Sequence, residues 1–215
     1  MAARESRNSF TGEGLACRRG ERRVFKDVDF ALAPGDALLL GGPNGSGKTS
    51  LLRLMAGLAQ PEQGVIAWNG TTIADDPAAH RARLHYIGHQ DAVKLALTAE
   101  ENLAFWAGMR GANGRALDAL RHFRLAARAA WPARYLSAGE RKRLGLARLV
   151  ASPATLWLLD EPTTSLDAEA TEILLTVIAD HRRAGGCVAL ATHASLPLPG
   201  AHTLSLAVHA TGGQA

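Results

Sequence analysis

Gly42-Pro43-Asn44-Gly45-Ser46-Gly47-Lys48-Thr49 is a glycine, four residues, then Gly-Lys-Thr, the spacing of a phosphate-binding loop. Its flanks agree. Ala37-Leu38-Leu39-Leu40 reads as a short buried strand before it, and Thr49 to Ala59 as a helix after it. Glycines at 42, 45 and 47 let the backbone curl so that successive N–H groups face one anion. The helix that follows adds its positive N-terminal end. Lys48 is placed to reach the β- and γ-phosphates of a nucleotide, and the Thr49 hydroxyl to bind Mg²⁺.

The rest of the chain must build a domain around this loop. Its 215 residues suit one large domain, or one domain with a subdomain. With 47% hydrophobic and 20% charged residues it has the make-up of a soluble globular protein. A net charge of +4 fits a polyphosphate ligand, nucleic acid or acidic lipid. The arginines are scattered, so charge selects no partner. Cys17 and Cys187 have no metal-ligand spacing and form no disulfide framework, as expected of inert thiols in a reducing compartment. No apolar run approaches the ~20 residues that cross a bilayer. Met1 to Gly14 lacks the apolar core of a signal peptide. A cytosolic protein, or a peripheral subunit on the cytosolic face of a membrane, is expected.

Residues 1–13 are polar and expected to be loose, with one folded domain over 14–215. Leu15 to Phe30 carries two alternating segments, read as a strand pair, and Pro34-Gly35 signals a turn. Val65-Ile66-Ala67-Trp68 with Asn69-Gly70 reads as strand and tight turn, and Leu84 to Gly88 as another strand. The texture then changes. Thr98-Ala99-Glu100-Glu101 opens a helix as a capping box; Arg115 to Ala130 and Ala138 to Val150 read as further helices. Strand patterns return at Thr155–Asp160 and Cys187–Thr192, with a helix over Ala168–Ala184 between them. Strand–helix–strand is the texture of a parallel sheet covered on both faces. The fold class is therefore α/β, with a helical insert at about 91–150.

Leu156-Trp157-Leu158-Leu159-Asp160-Glu161 is an apolar strand ending in two acids. Ligands of open α/β sheets bind at that edge. There Asp160 can hold Mg²⁺, and Glu161, one residue on, can orient or deprotonate an attacking water. Leu136-Ser137-Ala138-Gly139-Glu140 is an ordinary capping box, and equally a helix N-terminus able to receive phosphate.

With this segment the chain resembles the ATP-binding cassette (ABC) family of P-loop NTPases, whose signature is Leu-Ser-Gly-Gly-Gln. Ala138 and Glu140 depart from that signature; Ser137 and Gly139 keep it. In family order follow Gln90, in Gly-His-Gln, matching the glutamine loop; Ser165-Leu166-Asp167, matching the D-loop; and His193, in Ala-Thr-His, matching the switch histidine. The likeness spans roughly residues 14–207. It implies an antiparallel β subdomain beside the P-loop core, catalytic roles for Lys48, Gln90, Glu161 and His193, and Mg²⁺ bound by Thr49, Gln90 and Asp160. It also implies a two-fold dimer in which Ser137, Ala138, Gly139 and Glu140 of one chain, with Asp167, meet ATP held by the other. The family's adenine-stacking aromatic is missing. The usual spacing back from Lys48 falls on Arg19, whose planar guanidinium can stack on the base or stay a solvated surface group.

Several stretches are similar to one subgroup, the ATPases of bacterial cytochrome c maturation haem exporters: Leu15-Ala-Cys17-Arg-Arg-Gly20-Glu-Arg22, Tyr86-Ile-Gly-His-Gln90, Lys94 to Leu103, Leu136 to Arg141, and Ala154 to Asp160. The likeness implies separate membrane-spanning subunits, a place on the cytoplasmic face of the inner membrane, and no nucleic acid. The alternatives are another small bacterial ABC transporter ATPase, or a soluble ABC ATPase outside transport. His85 and His89 lie beside the nucleotide site and are set aside as haem ligands, because the transported group in this family crosses through the membrane subunits. Val93, Leu95, Leu97, Leu103, Phe105 and Trp106 open the insert. Those not packed inside it are expected to form a groove for a short helix of a membrane subunit.

Overall fold

The computed structural model describes residues 9–112, 114–193 and 196–207. Two sheets pack around one apolar cluster, and a second cluster covers the far face of the larger sheet. Strands β1 (Phe10–Arg19), β2 (Arg22–Leu32), β4 (Gln63–Trp68) and β5 (Thr71–Thr72) form an antiparallel sheet in the order β2-β1-β4-β5. Strands β3 (Ala37–Gly41), β6 (Leu84–Ile87), β7 (Leu156–Asp160), β8 (Cys187–Ala191) and β9 (His202–Ser205) form a sheet in the order β6-β7-β8-β3-β9. Its four pairings are all parallel.

The central strands are apolar up to Asp160 because both faces are covered. Every residue of β7 and β8 is buried. Alternate residues serve different cores, as the two-residue period of a strand requires. Leu38, Leu40, Leu156, Leu158, Ala189 and Ala191 pack toward α1 (Lys48–Met55) and the antiparallel sheet, against Phe10, Phe25, Leu51 and Met55. Trp157, Leu159, Val188 and Leu190 pack on the other face with α5 (Ala138–Ala151) and α6 (Ala168–Arg183). Helices α3 (Ala99–Gly108) and α4 (Ala116–His122) join α5 through Leu103, Leu120, Phe123 and Leu144, which gives the insert a core continuous with that face.

Boundaries moved where local chemistry outweighed periodicity. Strand β1 starts at Phe10, four residues inside the segment expected to be loose; Phe10 is fully buried and its ring meets Phe30 and Trp68. Residues 1–8 lie outside the described residues. Helix α1 stops at Met55 rather than Ala59. Gly57, at φ +66°, ends it through Leu58 N–H to Arg53 O and Gly57 N–H to Leu54 O, both 2.9 Å. The helix expected over Arg115–Ala130 ends at His122 by the same device, with Arg124 at φ +56° and Leu125 N–H on Leu120 O at 2.7 Å; a 3₁₀ turn at Ala126–Arg128 follows. Helix α2 (Pro77–Ala82), capped by Asp76, and β9 were not anticipated.

Candidate functional site

Register assembles the site. Leu40 of β3 pairs with Ala191 of β8, and Ala191 with Asp160 of β7. These three residues lie at one level, at or one residue before the ends of their strands. Within two residues of each follow the glycine loop from Gly42, His193 and Glu161. Glu161 N–H donates to Ala191 O at 2.9 Å, which carries the ladder one residue beyond β7. Glu161 takes φ +49°, turning its carboxylate back over the strand ends.

The loop wraps the lysine. Lys48, 7% exposed, donates from Nζ to Gly42 O at 2.7 Å and Pro43 O at 3.3 Å, and lies 3.3 Å from His193 Nε2. Gly47, at φ +102°, leaves no room for a side chain; a Cβ there would stand 2.6 Å from Val24 Cγ1 and 2.7 Å from Phe25 Cδ1. Gly42, at φ +131°, is closed in the same way by Ser46 Oγ at 2.7 Å. His193 closes the far side. Its Nε2 is 3.4 Å from Glu161 Oε1, and its backbone N–H donates to Glu161 Oε2 at 3.4 Å.

A cavity of about 610 Å³ opens over this cluster. It is lined by Asn44 through Ser50, Asp160, Glu161, Thr164, His89 and His193, with Arg19, Arg22 and Val24 at one end. Gly42 and Pro43 support it from behind, through the Lys48 bonds. Asp160 is 3% exposed and its Oδ2 has no hydrogen-bond partner. An orphaned buried carboxylate oxygen is costly alone, and with Thr49 lining the same cavity it fits an oxygen-preferring cation such as Mg²⁺. Lysine, backbone amides and two carboxylates at the end of a parallel sheet can bind a triphosphate and direct a water at it.

Arg19 reaches the cavity, as does Arg22, its cross-strand partner at the β1–β2 hairpin. Sequence reasoning missed Arg22 and Val24. The available signal was the period of β2, which sends residues 22 and 24 to one face. Gln90 is not brought in. The chain bends after β6, His89 takes the lining position, and Gln90 is exposed. The next residue explains the bend: Asp91 is 3.8 Å from the buried Lys142 ammonium, and its carbonyl packs within 3.0 Å of where a Gly145 Cβ would stand.

The second predicted cluster stands apart. Ser137 caps α5 with a complete capping box: its Oγ accepts from Glu140 N–H at 3.1 Å, and Glu140 Oε2 accepts from Ser137 N–H at 2.8 Å. That backbone bond, with Arg128 beside it, holds the Glu140 carboxyl below the usual range. Ser137 and Ala138 are exposed, and none of Ser137, Ala138, Gly139 or Glu140 lines the cavity. Gly139 approaches the loop before α6; a Cβ there would meet Ser165 O at 3.1 Å. Asp167 caps α6, accepting from Ala170 N–H at 2.7 Å.

The other candidates are structural. Buried His85 is held by Ser152, with Nε2 2.9 Å from its carbonyl and 3.1 Å from its hydroxyl, and burial pushes its pKa down to about 3. Cys17 and Cys187 are buried free thiols, and burial raises Cys187 to about 11.

Among the described residues no helix is long and apolar enough to cross a membrane. The sequence is 53% identical, over 94% of this chain and 95% of the relative, to a protein of Paramagnetospirillum magneticum named "Cytochrome c biogenesis ATP-binding export protein CcmA". A protein of the same name from Rhodospirillum rubrum is 54% identical over 92% of this chain and 85% of that one. A solved structure described as the ATP binding subunit of an ABC transporter superposes with a TM-score of 0.77 at 29% identity, covering 86% of this chain and 79% of that one. A putative ABC transporter ATP-binding protein from Pyrococcus furiosus shares the fold, with a TM-score of 0.83 at 21% identity over 94% of this chain and all of that one. The ABC transporter family model matches residues 25–164. With the phosphate loop, the strand-end acids and the histidine gathered at one sheet edge, the chain belongs to the ABC transporter family as an ATP-binding, ATP-hydrolysing subunit.

Proposed function

We propose that this chain powers a bacterial haem exporter serving c-type cytochrome biogenesis, from the cytoplasmic face of the inner membrane. The observation that carries the reading is the near end-to-end match, 94% of this chain on 95% of the relative, to a protein named for that process.

The chemistry assigned to the cavity is ATP hydrolysis. Backbone N–H groups of residues 44–49 and the Lys48 ammonium bind the phosphates. Thr49 and Asp160 would hold Mg²⁺, which supplies charge neutralisation between phosphate oxygens when bound. Glu161 orients the attacking water and takes its proton, a role worth about 10²–10⁴-fold in rate. His193 lies within reach of both Glu161 and Lys48, so it holds the carboxylate in place and senses the terminal phosphate. In the free chain Lys48 spends its donors on Gly42 O and Pro43 O; ATP offers that ammonium anionic acceptors in their place.

The sandwich is completed by a second copy. Ser137 to Glu140 stand at an exposed helix start outside the chain's own cavity. A two-fold dimer places them, with the Asp167 loop, over the partner's nucleotide. Gly139 packs close to the loop before α6, where a Cβ would stand 3.1 Å from Ser165 O.

Coupling is assigned to a groove of about 810 Å³ between the core and the insert. Ala56, Leu58 and Leu84 form one wall, and Ala92, Trp106 and Met109 the other. Of the apolar residues expected to line it, Trp106 does. Leu103 is buried in the insert, and Phe105 lies against Trp106 at 5.6 Å between centroids with Lys94 over its ring. A short helix of a membrane subunit is the proposed occupant. Cell fractionation tests the transport reading. The chain should sediment with membranes, and Met109→Glu should release it while its ATPase activity persists. A chain that is soluble in wild-type cells would contradict a transport role.

A further inference from the structure

The base end of the cavity is half built. Arg19 and Arg22 present guanidinium groups from the hairpin and Val24 adds an apolar edge, but no lining residue there is aromatic. A purine laid on Arg19 would leave its second face open to water.

Exposed aromatic surface exists elsewhere, on a hydrogen-bonded backbone, with Arg128 4.0 Å over the Trp131 ring. Tyr135 is 63% exposed and Trp131 44%. Their segment is not loose. Ala133 N–H donates to Leu97 O at 2.8 Å, Arg134 N–H to Leu95 O at 3.1 Å, and Pro132 bridges to Thr98. Leu136 is buried at 3%. The Tyr135 ring carries the Arg134 guanidinium 4.9 Å from its centroid, and is otherwise presented to solvent on a fixed backbone. Large exposed aromatics held in this way mark contact surfaces.

Tyr135 is two residues before Ser137. Leu136 and Ser137 are both extended, at ψ 145° and 166°. Two extended residues span ~7 Å. The tyrosine side chain adds a reach comparable to the ribose that separates phosphate from base. A serine set against the terminal phosphate of a partner's nucleotide therefore brings Tyr135 to the level of that nucleotide's sugar and base.

We propose that Tyr135 of one copy stacks on the base of the nucleotide held by the other, so that the base lies between a guanidinium from its own chain and a phenol from the partner. The inference rests on the two-fold dimer proposed above. It gives the dimer a base-dependent grip, and it makes purine preference a property of the closed pair and not of the single chain.

The test uses the full chain in the Glu161→Gln background, where ATP is bound and not turned over. The ATP concentration giving half-maximal dimer is read by size-exclusion light scattering. Tyr135→Ala should raise it roughly 5- to 150-fold, the span of base–aromatic stacking, and Tyr135→Phe should not. Binding of a fluorescent ATP analogue to the dilute monomer should be the same in all three. UTP, with its smaller ring, should lose less than ATP, so the ATP-to-UTP preference falls in Tyr135→Ala. Equal losses for both nucleotides would mean that Tyr135 merely supports the fold around Ser137, and would overturn the inference. An ATP-dependent dimer indifferent to Tyr135→Ala would overturn it too. Absence of any ATP-dependent dimer in the Glu161→Gln parent would refute the dimer itself, which separates that failure from this one.

Discussion

Gly47→Ala separates the packing role of the phosphate loop from its chemistry. The residue carries φ +102°, so a side chain there costs ~1–3 kcal/mol in backbone strain. It also sits against the antiparallel sheet: the added Cβ falls 2.6 Å from Val24 Cγ1 and 2.7 Å from Phe25 Cδ1. Phe25 is fully buried and cannot swing aside, so overpacking adds about 1–3 kcal/mol. A total near 3 kcal/mol lowers Tm by roughly 6–12 °C in a domain of this size. Gly45→Ala is the internal control. Its φ is +79°, with nothing within 4 Å of the new Cβ, so it bears strain alone, about 1–2 kcal/mol. Differential scanning fluorimetry of both variants without nucleotide reads the difference. Equal Tm values would refute the claim that the β1–β2 hairpin is wedged against the loop.

Further outcomes follow from the same geometry. Glu161→Gln should retain ATP, accumulate a dimer and lose about 10²–10⁴-fold in turnover; a wild-type rate would remove Glu161 from the chemistry. Mixing Ser137→Arg chains with inactive Lys48→Ala chains should recover part of the activity through one intact composite site, whereas none recovered from proven mixed dimers would place Ser137 in its own chain's site. Arg19→Ala should weaken ATP binding to the monomer; unchanged affinity would make Arg19 a surface residue. Burial holds His85 near about 3 and His181 near about 4, below their unfolded values. The unfolded chain therefore binds more protons, and stability falls as pH drops from about 6.5 toward those values, by up to about 1.4 kcal/mol per pH unit for each group. Tm between pH 7.5 and 5 should fall, and His85→Gln should flatten the slope; an unaltered slope would mean that His85 is not buried neutral.

Most of this was legible because its signals are local. The loop spacing, the apolar run into Asp160-Glu161 and the two capping boxes at Thr98 and Ser137 each fix their own element: the strand and both capped helices form, and a helix follows the loop, though shorter than read. What escaped depends on distance or on small local competitions. Strand β9 is four residues, three of them exposed, and exists because β3 has an open edge. The stops at Gly57 and Arg124 are left-handed residues, and an arginine there has no composition signal. Arg22 and Val24 enter the cavity only because the hairpin folds over Gly47. Gln90 is exposed off the cavity, next to Asp91, which pairs with a lysine 51 positions along the chain that no motif reveals.

The most direct measurement is covalent c-type haem in a strain lacking this chain. Cytochromes would be separated under denaturing conditions and stained for haem, with the chain restored as wild type or as Glu161→Gln. The deletion should lose the c-type bands, wild type should restore them, and Glu161→Gln should not, although it still binds ATP. Normal c-type bands in the deletion strain would contradict the assignment to cytochrome biogenesis.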